Sequence, residues 1–480
     1  MRYQMHDKTR KAGGRTAETE NLVNSALQFV GWPAFPSVAD ALTLSLLHQL
    51  EQSEWWQAEK IRAYQFSQLR LLLYFARDNT PYYRETLGSY ELDSPKDLAD
   101  NIWQNIPLTC REDLQTNSDK MRCHNLPENH LPVTERSTSG STGTPVTFLT
   151  NPVTGIFYNA LNLRLHFWHR RDFSSRVACI RTNRPTINEE IKPRTWARGY
   201  RTGPMFDLDI KTPVDIQLKW IRDRKPDRLL TYPSNVLQLA EKSINEGIEL
   251  PTLKEVGTLG ETVNDRVREA ALKAWGVPVI DNYSCSEAGF LALQCPEQEN
   301  IYHIQSENIL MEILDDHGRM CEPGETGKVI ITDLHNLAQP LIRYELGDYA
   351  EVGPACSCGR GLPTLRRIVG RRRNLLMLED GIRILPDFRI RQWPEIAPII
   401  QAQIIQKSIS HLEVKAKVHR YLSTEEELRL AEYIRAALQI PFQITFTFVD
   451  EIQRPQSGKL EDFICMADRE QDKKRNGIPE

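Results

Sequence analysis

Arg176-Val-Ala-Cys-Ile180, Arg228-Leu-Leu-Thr-Tyr232, Glu255-Val-Gly-Thr-Leu-Gly260 and Val277-Pro-Val-Ile-Asp-Asn-Tyr283 are four short β-rich runs separated by stretches of helical pattern, among them 234–245 and 265–275. Strands alternating with helices at this spacing predict an α/β fold with a mostly parallel, doubly wound sheet and ligand sites at the strand ends. Upstream, 40–77 repeats apolar residues at helix spacing with few glycines or prolines, which predicts an N-terminal helical layer. Downstream, the apolar runs 309–314 and 328–334 flank a Gly-, Pro- and Asp-rich stretch that reads as the turn of an antiparallel extension.

Beyond Gly370 the pattern changes again. Leu412, Val414, Ala416 and Val418 alternate with polar residues, 423–438 carries Leu430, Tyr433, Ile434, Ala437 and Leu438 on one helical face, and 443–449 reads as another strand. Ser423 with Glu426 fits a capping box. The expected organisation is a flexible arm at 1–20, a large domain at 21–370 and a small, mobile α+β domain at 371–480.

The 480 residues carry 60 Lys+Arg against 64 Asp+Glu, a formal charge of −4 that disfavours nucleic-acid or membrane binding through bulk positive charge. No run approaches the roughly 18 consecutive apolar residues of a membrane span, and the first 20 residues lack an apolar leader pattern, so the expected location is cytoplasmic. Nine cysteines without a dense, even framework predict thiols that are free or metal-bound.

Four segments carry candidate chemistry. Ser137-Thr138-Ser139-Gly140-Ser141-Thr142-Gly143-Thr144-Pro145 offers unobstructed backbone N–H groups and hydroxyls of the kind polyphosphate oxygens need, and it is not a Walker A loop because no Lys-Ser/Thr follows Gly143. Tyr283-Ser284-Cys285-Ser286-Glu287 follows an apolar strand ending at Asn282; a carboxylate there can hold Mg²⁺ and a tyrosine can cover an adenine. Asp348, in Arg343-Tyr-Glu-Leu-Gly-Asp348, can accept hydrogen bonds from ribose hydroxyls. Lys459, in Arg454-Pro-Gln-Ser-Gly-Lys459, can bring a point charge to a phosphoryl or carboxylate oxygen. Taken singly, these also read as a Ser/Gly linker, a surface Glu, a turn aspartate and an exposed lysine.

In their order along the chain, these segments and Gly370-Arg371 resemble the adenylate-forming, or acyl-activating, superfamily. Thr80-Pro-Tyr-Tyr-Arg-Glu85, Ile106-Pro-Leu-Thr-Cys-Arg-Glu-Asp-Leu114, Tyr232-Pro-Ser234 and Leu341-Ile-Arg-Tyr344 narrow the resemblance to the phenylacetate-coenzyme A ligase-like family and its capsule-biosynthesis-like branch. The resemblance spans roughly Thr80 to Lys459 and implies that Ser137 to Thr144 hold phosphates, with Thr138 catalytic. It further implies that Glu287 holds Mg²⁺, that Gly260, Glu261, Thr262, Asn282, Tyr283, Ser284 and Ser286 meet the nucleotide, that Asp348 and Arg371 meet its ribose, and that Lys459 bridges the carboxylate and the α-phosphate. The hinge position past Gly370-Arg371 is commonly Asp or Lys in the superfamily, whereas this chain has Arg372-Arg373-Asn374.

The implied activity is ATP- and Mg²⁺-dependent formation of an acyl-adenylate from an aromatic or small organic acid, followed by transfer to coenzyme A. The alternatives are transfer to an amine or a carrier-protein thiol, and a catalytically inactive nucleotide-binding scaffold. No nucleic-acid or membrane partner is expected, and a homodimer is allowed. Cys295, His303, Cys356 and Cys358 could form a closed tetrahedral Zn²⁺ site of structural type. The same residues read equally as buried free thiols and a core histidine, and similar Cys/His sets in relatives favour zinc. His166 and His169 read as a packed helix face that could border an acid pocket, and Trp196, Tyr200 and Phe206 as a substrate-covering loop or core.

Overall fold

The computed structural model describes residues 23–90, 100–137, 146–187, 192–379, 383–384, 386–452 and 462–467. The arm expected at 1–20 lies outside them. The predicted parallel sheet is present: strands Met205–Asp209, Val177–Arg181, Arg228–Thr231, Glu255–Thr258 and Val279–Ile280 lie side by side in that order, each parallel to its neighbour. Helices Val214–Arg224, Pro233–Glu246 and Asp265–Trp275 connect successive strands. They share one core with the sheet, through Leu218, Val236, Leu239 and Val267, while a second core holds Leu161 and Leu165 of helix Pro152–Trp168. Asp265–Trp275 shows why such helices begin and end where they do. The Asn264 side chain accepts from the Val267 amide, and Gly276 closes the helix in the left-handed conformation, where no Cβ penalty applies.

Seven strands form the antiparallel extension, in the order Ile309–Leu314, Thr326–Asp333, Tyr344–Val352, Thr364–Arg371, Tyr302–Ile304, Gly289–Gln294 and Asn282–Cys285. The expected hairpin pairs Leu314 with Lys328. The helical layer predicted at 40–77 is two helices, Val38–Ser53 and Ala58–Asn79. The second turns Leu69, Leu72, Leu73 and Ala76 onto the antiparallel sheet, and its Gln65 amide donates to the Ser306 and Ile309 carbonyls at 2.8 and 2.9 Å. Truncating a fully buried leucine such as Leu72 to alanine costs about 2–5 kcal/mol.

The motifs that mark the family resemblance at 80–85, 106–114 and 341–344 turn out to be one structural knot. The Tyr83 hydroxyl donates to the Pro340 carbonyl at 3.0 Å and accepts from the Ile342 amide at 3.2 Å. The Thr109 hydroxyl donates to the Ile342 carbonyl at 2.9 Å. Arg343 is buried, pairs with Glu312 at 3.0 Å and donates to the Trp103, Gln104 and Ile106 carbonyls. These bonds fasten the helical layer to the loop entering the strand that carries Asp348.

The C-terminal domain has its own core around the fully buried Trp393, Ile404, Val414 and Leu430. Its four strands run in the order Gln443–Phe448, His411–Val418, Ile399–Ser408 and Phe463–Cys465, with helix Thr424–Leu438 packed beside them. The two strands read from the sequence are neighbours and parallel, because that helix crosses between them. The Ser423–Glu426 capping box is formed in both directions. We propose the domain boundary between Arg371, which ends the last strand of the large domain, and Leu376, the first residue of the small domain's core. No helix among the described residues is long and apolar enough to cross a membrane.

Candidate active site and metal site

A cleft of about 2040 Å³ lies between the C-terminal strand ends of the large domain and the small domain. Gly260, Glu261, Thr262, Asn282, Tyr283, Ser284, Ser286, Glu287, Asp348 and Arg371 all line it. Eighty-eight residues of chain separate Tyr283 from Arg371, so it is the sheet that assembles them. Asp348 and Arg371 are register partners on adjacent strands, and Arg371 Nε lies 3.1 Å from Asp348 Oδ1. From the far edge of the same sheet, the Tyr283 hydroxyl donates to Asp348 Oδ2 at 2.8 Å. Asp348 thus joins an acidic acceptor to a cation and a phenol at one point. Burial, then the charge of Asp348, pushes the Tyr283 phenol well above its ordinary range and keeps it a donor. The Asp348 charge likewise raises Arg371.

Two residues before Tyr283 in the chain stands Asp281, a buried carboxyl that burial raises above its ordinary value. Asp281 accepts from the Thr258 hydroxyl at 2.8 Å and the Tyr302 hydroxyl at 3.1 Å, and its amide donates to Gln294 Oε1 at 2.6 Å. Glu287 is buried at the wall of the cleft, a hard oxygen donor of the type Mg²⁺ takes. Glu261 accepts from the amide and hydroxyl of Ser234, at 2.8 and 3.0 Å, fixing the Tyr232-Pro233-Ser234 turn against Gly260. Gly370 has φ +89°, and a Cβ there would lie 2.7 Å from Thr262 Oγ1, so only glycine lets the strand end meet this turn.

Of the segment expected to hold phosphates, Ser137 ends a short strand paired with Thr147, while Thr138, Ser139, Gly140, Ser141, Thr142, Gly143 and Thr144 lie outside the described residues, as does Lys459. Several cleft residues escaped the sequence reading, among them Arg111, Tyr158, Arg366 and Arg367. Arg111 belongs to a segment that served only as a family marker, and Tyr158 lies mid-helix, where spacing gives no sign of a site. For His166 and Trp196 the structure selects the packed reading over the pocket one. His166 does not border the cleft; it is buried between Trp196 and Phe173, with its Nδ1 2.9 Å from an Arg171 nitrogen. Trp196 covers no substrate pocket either, because it packs in that same core and donates to the Ser175 carbonyl at 3.1 Å.

Away from the cleft, the donor atoms of Cys295, His303, Cys356 and Cys358 all lie within 4.8 Å of one another. Cys295 Sγ is 3.7 Å from Cys356 Sγ, and Cys358 Sγ is 3.4 Å from His303 Nε2. A tetrahedral zinc with metal–sulfur bonds of about 2.3 Å has sulfur–sulfur edges of about 3.8 Å, so the donor set fits the ion. His303 Nδ1 faces the Leu362 carbonyl at 3.4 Å, leaving Nε2 for the metal. All nine cysteines are free thiols. None of the four candidate ligands lines the cleft, which suits a structural site. The knuckle also ties down the helical layer: Arg360 pairs with Glu54 at 3.2 Å, and the Gly361 amide donates to the Glu54 carbonyl at 2.9 Å.

Residues 377–465 match the family model described as the CapK C-terminal domain. A phenylacetate-coenzyme A ligase of Pseudomonas putida is 26% identical over 353 residues, covering 70% of this chain and 76% of that protein. One from Thermus thermophilus is 24% identical over 446 residues, covering 84% and 96%. The solved structure of a 2-hydroxyisobutyryl-CoA ligase, in the postadenylation state and in complex with R3-HIB-AMP, superposes with a TM-score of 0.69 at 17% identity, over 89% of this chain and 94% of that one. The chain is similar to these ligases in sequence and, in its C-terminal part, to the CapK model, and it has the mixed α/β fold with a separate C-terminal domain of the 2-hydroxyisobutyryl-CoA ligase.

Proposed function

We propose that this relative of phenylacetate-coenzyme A ligases joins a carboxylic acid to AMP at the expense of ATP and passes the acyl group to a thiol, coenzyme A being the first choice. The observation that carries this reading is the convergence of Tyr283, Asp348, Arg371 and Glu287 on one cleft closed on its other side by the C-terminal domain. The acid's carboxylate oxygen attacks the α-phosphorus of ATP, forming the acyl–phosphate bond as the bond to pyrophosphate breaks. Asp348 accepts from the ribose hydroxyls, Arg371 holds that carboxylate in place, and Tyr283 with the Gly260–Thr262 turn frames the adenine. Glu287 would hold Mg²⁺, which supplies neutralisation of phosphate charge. Ser137 to Thr144 and Arg111 meet the phosphates, and Lys459 places its charge between the carboxylate and the α-phosphate. In the second step the acceptor thiolate attacks the acyl carbon and AMP leaves.

Two features support the finer assignments. Tyr158 is half exposed to the cleft and stacks on Phe290 with centroids 5.0 Å apart, a flat apolar wall suited to an aromatic or small organic acid. Arg366 and Arg367 also line the cleft with side chains 62% and 58% exposed, cations suited to the phosphates of coenzyme A. The four-ligand Cys/His cluster is proposed as a structural zinc site, and the compartment as the cytoplasm. The test of the acceptor is the product formed from ATP and an activated acid with coenzyme A, an amine or neither. Coenzyme A-dependent thioester supports the reading. Amide formed at equal rate without coenzyme A moves the protein to the amine-acylating alternative.

A further inference from the structure

The loop preceding the first helix carries an apolar surface that nothing in the proposed reaction uses. It is ordered by its own bonds: the Ala26 amide donates to the Phe35 carbonyl at 2.7 Å, the Phe35 amide to Ser25 Oγ at 3.3 Å, and the Asn24 amide to the Gly199 carbonyl at 2.8 Å. At its tip Phe29 is 95% and Trp32 86% exposed. Phe35, Leu27 and, one helical turn apart, Val38 and Leu42 continue the surface at 80% exposure for Val38 and about half for the others. An anchored loop that turns its aromatic rings outward differs from scattered surface apolar residues, which need no explanation.

We infer that this loop and the outer face of the first helix are where a second copy of the chain docks. Two observations select that occupant. With aromatic side chains of roughly 150–250 Å² each, the six residues expose on the order of 700 Å² of apolar surface, beyond the 300–600 Å² usual for the largest patch of a monomer. That is close to the roughly 800 Å² each partner contributes to a standard interface. Residues 23–39 also contain no Asp, Glu, Lys or Arg, the charge depletion and aromatic enrichment of an interface centre. A lipid surface with anionic headgroups would find no cation on this stretch. The chain's own residues 1–22 bring Arg2, Asp7, Lys8, Arg10, Lys11, Arg15, Glu18 and Glu20, a poor cover for it. Apolar rings facing their own copies across a two-fold axis are self-complementary, as an isologous interface requires.

Light scattering after size-exclusion chromatography of the full chain at micromolar concentration tests this. The expected result is twice the monomer mass, with Phe29→Asp and Trp32→Asp each raising the dimer dissociation constant at least tenfold. Both positions are exposed, so unchanged circular dichroism and melting separate lost docking from lost folding. A wild-type monomer at the highest soluble concentration overturns the inference, as does a dimer indifferent to both substitutions. Flotation of a monomeric wild type with phosphatidylglycerol vesicles assigns the face to lipid. Dimerisation only after removal of residues 1–22 assigns it to that segment; either result also overturns the inference.

Discussion

Replacing Arg164 by methionine removes the cross-brace of the large domain. The Arg164 side chain is fully buried, donates to Glu307 at 2.8 and 3.2 Å and to Gln305 Oε1 at 2.8 Å, and lies 3.5 Å from Glu54. Without it, Glu54 keeps Arg360 and the Trp168 indole, whereas Glu307 loses its cation and keeps the Ser53 hydroxyl at 2.6 Å and its own backbone amide. Stranding one buried carboxylate costs about 3–5 kcal/mol. The cost depends on pH, and the sign can be worked out. Burial raises Glu307, but the Arg164 charge and hydrogen bonds outweigh it and hold the folded carboxyl below its ordinary value. In the native protein this stabilisation is present above the unfolded pKa and is lost as pH falls through the folded one. In Arg164→Met burial, the largest influence on Glu307, is opposed only by the hydrogen bonds from the Ser53 hydroxyl and the backbone, so the folded carboxyl rises above the unfolded value and the penalty grows with pH, by up to about 1.4 kcal/mol per pH unit. Urea denaturation at several pH values should show a destabilisation of about 3–5 kcal/mol at pH 8 that shrinks toward pH 5. Adding Glu307→Gln should recover most of it. A penalty below about 1 kcal/mol, or one independent of pH, would refute the reasoning.

Three further outcomes follow from the same contacts. Lys459→Ala should slow adenylate formation by about 10²–10³ while sparing thiol attack on a presynthesised adenylate; equal losses in the two steps would contradict its assignment. Purified protein should contain about one zinc per chain by elemental analysis, and chelation or Cys358→Ala should lower the melting temperature without changing nucleotide affinity; metal-free protein of undiminished stability would exclude the site. His169 is partly buried and, through desolvation and the neighbouring Arg171 charge, is lowered to about 4. The unfolded chain therefore binds its proton first, and about 3 kcal/mol of stability is lost as pH falls from about 6.5 to 4. His169→Gln should flatten the stability profile in that window, and an unchanged slope would remove the attribution.

How much of this was legible in the sequence follows from the range of the interactions involved. The edge strand Met205–Asp209 of the parallel sheet was missed and its Phe206 read as loop or core, whereas the other four strands were legible, because each with its crossover helix is a local pattern bounded by its own caps, as at Asn264 and Gly276. So were the carboxylates Glu287 and Asp348, since each sits in a short motif. What local pattern could not supply was their meeting: Asp348 receives Tyr283 only because the antiparallel sheet brings strands from its edge and middle together. Arg343 was read as part of a family marker, but its contact with Glu312 lies 31 positions away and those with the 103–106 carbonyls more than two hundred, and no periodicity announces them. His166 and Trp196 stayed ambiguous because an aromatic-rich stretch looks the same whether it faces a pocket or a core. The exposed loop at 27–42 escaped because exposure of an apolar residue is a tertiary property.

Acid-dependent exchange of labelled pyrophosphate into ATP, across a panel of aryl, indolyl and short aliphatic acids, reports adenylation whatever the final acceptor. The account predicts exchange with one acid class, requiring Mg²⁺ and reduced by Asp348→Asn and Glu287→Gln. Absence of exchange with every acid, together with no binding of Mg-ATP, would contradict it.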